Sequence, residues 1–453
     1  QCFIVQNDID KMESIKKEIK FIENSYKVAI KNVPAIIEEA NAGNINNYTS
    51  GLKFELSMTK YPNSNIESFA SNWGFVAKSI YDSPSFGAEL DKNKYFSKDI
   101  DELLSGISNN EEKMMRIFEF VKSKMNWNGY QSVFVNKGVK NAYKEATGNS
   151  AEINLMLTAM FRYAKLNANP ILVSTKGHGL PIVVTRNGFN YVISGVEINN
   201  KVLLFDATDK NTEVNILPAN LLNWKGRLIR EDGSSNWAPL VPSKPAVRNV
   251  MINASITNNL VVNGDVKMRV TDHFSKETRD LYENLVNDDV RKSLEKNKGD
   301  IEISNIEFKD LETLHKPVGL SYDFKSEDLV EDINGKLYFS PMLFIGEREN
   351  PFKLEDRRYP VDFEFPKKNR VIININIPEG YTVESMPENE SFGLGDNQLS
   401  LKYNVSNQAN VIKVMVEYSI NQTIVAADQY KNLKGYYQLL IEKLNEKVVL
   451  VKA

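Results

Sequence analysis

Apolar positions along the chain change period several times, and each change marks an element. Across residues 26–56 apolar and polar residues roughly alternate, as YKVAI, an Asn-Val-Pro break, the acidic pair Glu38-Glu39, and then YTSGLKFEL; this predicts strands and a β-rich opening. From Ser64 the spacing turns helical, with Phe69, Trp73, Val76, Ala77 and Ile80 on one face and Asn63-Ser64 placed to cap. Residues 99–125 continue in that style, through Ile100, Leu103, Met114, Ile117, Phe118 and Val121. Residues 150–166 are apolar on nearly every face, the mark of a helix buried all round, and Asn169-Pro170 is expected to end it. Strands are predicted at 171–175, 189–198 and 202–208, with turn signals at Asn187-Gly188 and Asn199-Asn200, so that the last two form a hairpin. The middle region therefore reads as helices followed by antiparallel sheet.

Pro239, Pro242 and Pro245 mark residues 236–247 as a linker and the main internal boundary. Beyond it, VMINASIT and DVKMRVTD flank a predicted Asn263-Gly264 turn, and a charged helix is expected near 276–296. Strands follow in LYFSPMLF, YPVDFEF, VIININI, LSLKY and VIKVMVEYSI, then a helix near 430–447 and a closing VVLVK strand. No fixed-period repeat is present, which disfavours solenoids and propellers. The expected organisation is the end of a β-rich domain at 1–62, a helix-plus-sheet core at 63–238 and a mostly β domain with helices at 239–453. The 453 residues fit about three domains at the usual ~150 residues each.

Composition removes several function classes. With 56 basic and 59 acidic residues and a net charge of −3, a nucleic-acid surface is not expected. No apolar run approaches the ~18–20 residues of a membrane span. Cys2 is the only cysteine, which excludes an intrachain disulfide and a cysteine metal cage. The opening QCFIVQNDID lacks the features of a signal peptide, so the chain is expected to be trimmed, with Cys2 an exposed residue rather than a lipid anchor. Walker, dinucleotide, HExxH, EF-hand and GxSxG motifs are absent. His178, His273 and His315 are far apart and read as loop or strand-end residues, so neither a metal nor a cofactor is expected.

GNSAEINLML, STKGHGLP, FNYVISGVEI, VLLFDATD, Leu217-Pro218 and NWKGRLI together resemble the transglutaminase-like, papain-like core of a family of bacterial exported proteins, where it sits between two β-rich domains of unknown function. NVPAIIEEA and NYTSGLKFEL resemble the end of the family's N-terminal domain; ENPFKLEDRRYPVDF and IPEGYTVESMPE resemble its C-terminal one. The resemblance implies an α+β fold with β-rich ends and a periplasmic or surface location. In active members a cysteine opens the buried helix, a histidine lies on the next strand and an aspartate on its hairpin partner. The helix start stabilises a thiolate, the histidine moves the proton and the aspartate orients the imidazole. Matched residue by residue, those positions are Ser150, Tyr191 and Asp206.

A serine without a base is a weak nucleophile at neutral pH, and a phenol of pKa ~10 is a poor base. The expected function is thus a non-catalytic envelope protein that binds a peptide, protein or glycan through a degenerate cleft lined by Trp127 and His178. One alternative is a serine hydrolase or amidase using Ser150, with His178 from the KGHGLP loop as base; another is an architectural spacer. Each residue also has a structural reading: Ser150 as a helix N-cap, Tyr191 as a core aromatic, Asp206 as a hairpin-closing carboxylate and Trp127 as a packing residue. Arg357-Arg358 beside Asp356 reads as a solvated or salt-bridged strand entry rather than an anion site.

Overall fold

A computed structural model describes residues 2–7, 14–19, 27, 29–33, 35–49, 55–56, 58–61, 65–68, 72–346 and 348–453. Contacts divide the chain into two compact units, Gln1–Ile37 and Glu38–Ala453. In the first, β1 (Cys2–Asn7) and β2 (Ser14–Ile19) form an antiparallel pair with Cys2 opposite Ile19. The described residues of 27–56 carry no strand, contrary to expectation; their one regular element is a single 3-10 turn at Ile45–Tyr48, capped by Asn44. Residues 50–54, part of the predicted YTSGLKFEL strand, lie outside the described residues.

In the second unit, α1 (Trp73–Tyr81) is capped by Asn72, whose side chain accepts from the Phe75 amide at 3.0 Å. The expected cap, Asn63-Ser64, and Phe69 lie outside the described residues. Helix α2 (Asn110–Lys124) carries Glu111 and Glu112 in its first turn and Lys122 and Lys124 in its last, complementing its dipole at both ends. Helix α3 (Ser150–Tyr163) is buried on every side from Ser150 to Phe161. It ends at Tyr163, seven residues before Pro170, and Lys165 just beyond it, at a φ of 64°, is the left-handed stop. Asn169-Pro170 instead lies inside β3 (Ala168–Val173). On the side of β3 facing β6 (Lys225–Ile229) only Ile171 and Leu172 are paired, so the missing Pro170 N–H costs no ladder bond there.

With β4 (Tyr191–Ile198), β5 (Lys201–Phe205) and β7 (Ser235–Pro239), these strands make a five-stranded antiparallel sheet in the order β7-β6-β3-β4-β5. Asn199 and Asn200, at φ 50° and 60°, close the β4–β5 hairpin as predicted. The sheet is buried on both faces. Val192 and Val196 pack on the helices, whereas Tyr191 and Ile193 pack with Val270, Phe274, Val318 and Phe365 on the opposite side. The proline-rich stretch is not all linker, since Ser235–Pro239 pairs with β6 and a new strand starts at Ala246.

That strand, β8 (Ala246–Ile256), pairs antiparallel with β9 (Val262–Val270). Asn263-Gly264, expected as the turn, is inside β9, and the turn runs through 257–261. Gly264 is there for closeness: a Cβ would come within 2.0 Å of the Asn253 carbonyl oxygen. The charged helix is two helices, α4 (Asp272–Tyr282) and α5 (Asn287–Glu295). Strands β10 (Ile301–Lys309), β11 (Val318–Ser326), β12 (Lys367–Asn376), β13 (Glu390–Leu394), β14 (Leu399–Gln408) and β15 (Val411–Ile420) complete an eight-stranded sheet, in the order β10-β11-β9-β8-β12-β15-β14-β13. All its pairs are antiparallel except the central one, β8 with β12, which runs parallel from Ala246/Lys367 to Ser255/Asn376. One face is buried under α5, helix α6 (Tyr430–Asn445) and a four-stranded sheet built from Glu331–Ile333, Lys336–Phe339, Val448–Lys452 and Tyr381–Ser385.

Arg357 is buried and pairs not with Asp356 but with Glu39, at 3.3 Å; Glu39 also accepts the Arg358 and Tyr359 amides at 2.9 and 3.1 Å. Asp356 pairs with Lys431. His273, expected on a loop or strand end, is buried on α4 and stacks on Phe365 at 4.7 Å. Burial holds its pKa down at about 4. His315 sits between Glu119 and Glu213, 3.2 Å from each, and hydrogen bonds to these carboxylates raise it to about 9. No helix among the described residues is long and apolar enough to cross a membrane.

Candidate functional site

The start of α3 is built from its own first turn. Asn149, not Ser150, is the N-cap: its side chain accepts from the Glu152 amide at 2.8 Å, and Glu152 returns the bond to the Asn149 amide at 2.9 Å. The second Glu152 oxygen accepts the Asn136 and Lys137 amides, at 3.0 and 2.7 Å. A carboxylate of the chain itself thus occupies the helix start and ties down the 130–137 loop. Ser150 occupies the first helical position and is fully buried. Its hydroxyl accepts from the Ser132 amide at 2.8 Å and donates to the Ser132 carbonyl at 2.9 Å.

One turn on, Asn154 is buried and joins three elements. Its amide donates to the Val192 carbonyl (3.0 Å) and to Asp206 (2.8 Å), and its oxygen accepts the Ala207 amide (2.9 Å). Asp206, just past β5, is wholly buried and also accepts from the Thr208 amide at 3.2 Å. The Tyr191 hydroxyl lies 3.2 Å from one Asp206 oxygen and 2.7 Å from the Thr208 hydroxyl. Burial, then the Asp206 charge, pushes the Tyr191 phenol well above its ordinary value. Burial likewise raises Asp206, against the lowering effect of the Asn154 and Thr208 hydrogen bonds. A phenol shifted upward is a donor that holds its proton, so it cannot serve as a base near neutrality.

Of the five residues read from sequence, the structure joins Tyr191 to Asp206 by direct hydrogen bonds and sets Ser150 one helical turn from Asn154, the partner of Asp206 on α3. His178 is engaged elsewhere. It is exposed, and its Nε2 donates to the Asn187 carbonyl at 2.8 Å, in a loop held by Asn44 and Asn47. Trp127 is half-buried, packs against the clusters on both sheet faces and donates to the Tyr130 carbonyl at 3.1 Å. Sequence reading missed Asn154, Glu152, Thr208 and Ser132. The signal for the first was present: Asn154 and Thr158 are polar residues four apart in the apolar middle of the helix, the spacing of one helical face. No group of three or more His, Cys, Asp or Glu side chains among the described residues is placed to hold a metal ion.

Comparison with known proteins adds a family for part of the chain. Residues 335–450 match a domain of unknown function with a solved structure, DUF3858. No curated protein matches. Among solved structures, "a putative protease" from Parabacteroides distasonis aligns with 88% of this chain at 10% identity and a TM-score of 0.48. The chain spans only 63% of that protein's length. An M1 zinc metallopeptidase from Deinococcus radiodurans aligns with 47% of this chain and 44% of its own, at 8% identity and a TM-score of 0.15. The chain is a multidomain, mixed α+β protein that includes a domain of unknown function.

Proposed function

We propose that this chain is a non-catalytic protein of the bacterial cell envelope, periplasmic or surface-exposed, whose transglutaminase-like core serves as a scaffold that binds a peptide, protein or glycan. The observation that carries this reading is the saturated network at the start of α3. Ser150 spends both hydrogen-bonding roles on Ser132, and Tyr191 is a locked donor to Asp206, so neither a nucleophile with a base nor a proton acceptor is assembled. The loops at Tyr130 and at Ile182-Val183 support binding, since these side chains are exposed by 65%, 71% and 58%. The resemblance of the sequence to an exported family supports the location.

The test is intact-mass analysis of the chain after treatment with a serine-reactive fluorophosphonate, with peptide mapping of any adduct. No adduct at Ser150 is expected. Stoichiometric labelling there overturns the reading and makes the protein a serine enzyme.

A further inference from the structure

The eight-stranded sheet carries a cavity unrelated to Ser150. On strands, residues two apart share a face, and Val250, Val266, Met268, Leu320 and Val371 from four adjoining strands give one face an apolar floor. Helix α4, the end of α5 and Phe344 roof it, leaving a space of about 490 Å³. That size falls within the ~300–1,000 Å³ usual for small-molecule sites. The turn between α4 and α5 exposes Leu285 and Val286, and Leu281 at the cavity edge is half-exposed, which makes the surrounding surface apolar.

Three polar groups interrupt this surface, and the fold leaves all three short of partners. Arg248 stacks its guanidinium over Phe274 at 4.3 Å, yet its Nε is buried without a hydrogen bond, and it makes no ion pair with any described residue. Lys298 lies 5.6 Å from the Phe344 ring centre and 5.8 Å from that of Tyr322, again without an ion pair among the described residues. Burial lowers its pKa, which marks an ammonium that lacks a counter-charge. Asn369 is 6% exposed and its side-chain oxygen has no partner; a half-turn of that amide offers an N–H instead. The lining also holds Lys296 at its edge and one carboxylate, Glu277, so cations outnumber anions three to one. Each stranded buried polar group destabilises the fold until something pairs with it. The apolar floor matches a hydrocarbon or aromatic body, and at one end of it Arg248 and Asn369, paired across β8 and β12, suit a single acidic head, whereas a dianion meets Glu277.

We infer that this cavity is a binding site for a small amphiphile with one carboxylate-type head, its head held by Arg248 and Asn369, which are register partners on β8 and β12, and its apolar body laid on the sheet. The site belongs to a different layer from Ser150, so it stands whichever way labelling at Ser150 falls.

The experiment is calorimetric titration of the full chain with dodecanoate, below its micelle-forming concentration, and separately with dodecanol. One saturable dodecanoate site is expected, with dodecanol at least about tenfold weaker, because an acidic head gains charge-assisted bonds that a hydroxyl does not. Arg248→Met should erase most of that preference while the circular dichroism spectrum is unchanged. Val250→Trp, which fills the floor, should abolish binding of both. Wild-type protein that does not bind dodecanoate, or binds both ligands equally, overturns the proposal without recourse to any variant. Unaltered binding by folded Val250→Trp places the ligand elsewhere and overturns it too.

Discussion

Replacing Asn154 tests whether the buried network holds the α3 helix to its sheet. Asn154→Ala strands the Val192 carbonyl and the Ala207 amide in the core and takes one of the donors from Asp206. At about 1–3 kcal/mol for each of the two backbone groups, plus a similar amount for a bond to a carboxylate, the loss is about 3–9 kcal/mol. Asn154→Asp separates electrostatics from packing. It keeps the shape and the bond to Ala207, but sets a second carboxyl against Asp206 where a donor stood at 2.8 Å. Two buried carboxyls this close cannot both ionise, so one must take a proton and its folded pKa rises. The unfolded carboxyl titrates near ~4. The Asp variant is therefore weakened at neutral pH, and its deficit against wild type narrows as the pH falls toward ~4. Urea unfolding followed by tryptophan fluorescence reads the right layer, because Trp73, Trp127, Trp224 and Trp237 are the four tryptophans and all belong to the helix-and-sheet region. A loss below 1 kcal/mol for Asn154→Ala, or a deficit in Asn154→Asp that does not change with pH, refutes the reasoning.

Two glycines should respond with opposite signs. Gly264→Ala forces a Cβ to within 2.0 Å of the Asn253 oxygen and should cost more than about 3 kcal/mol or prevent folding, whereas exposed Gly435 in α6 has nothing within 4 Å and its alanine variant should gain about 0.5–1 kcal/mol; thermal midpoints distinguish them. Glu39→Gln leaves Arg357 buried without its counter-charge and should lose about 3–5 kcal/mol in chemical denaturation. His273 has a folded pKa, about 4, below its unfolded ~6.5, so the unfolded chain binds the extra proton; stability present above pH ~6.5 should fall by about 3 kcal/mol as the pH drops to about 4. His273→Gln should flatten that limb of the pH–stability curve.

Elements with strong periodicity were legible: the all-apolar helix from Ser150, the Asn199-Asn200 hairpin and VIININI as a strand all emerge where their patterns place them. The misread positions share a cause, which is that local turn chemistry was overridden by tertiary contacts. Gly264 looks like a turn residue but serves a close strand approach, and Pro170 looks like a helix stop but sits where the ladder requires no donor. Arg357 was read against its neighbour Asp356, although its partner Glu39 is over three hundred positions away. At the site, Tyr191 and Asp206 were found by resemblance and do meet, yet the residue that binds Asp206 to α3, Asn154, belongs to no catalytic pattern and was passed over. Buried polar side chains inside apolar helices are the feature to search for.

The single parallel contact in the eight-stranded sheet governs how the sheet can be assembled. Residues 335–450, the stretch recognised as a family, contain β12 to β15 but not β8, whose Asn253 bonds Asn374 across 121 positions of sequence. Cut out alone, that stretch would display β12 as a long bare rim, a template for pairing with its own copies. On the ribosome the same geometry imposes an order. The half-sheet ending at β8 emerges first and must wait with an open rim until residues 367–376 arrive, so this is the interval in which a nascent chain is most exposed to aggregation. The stretch that matches a known domain and the stretch needed to complete its sheet are, in this protein, two different lengths of chain.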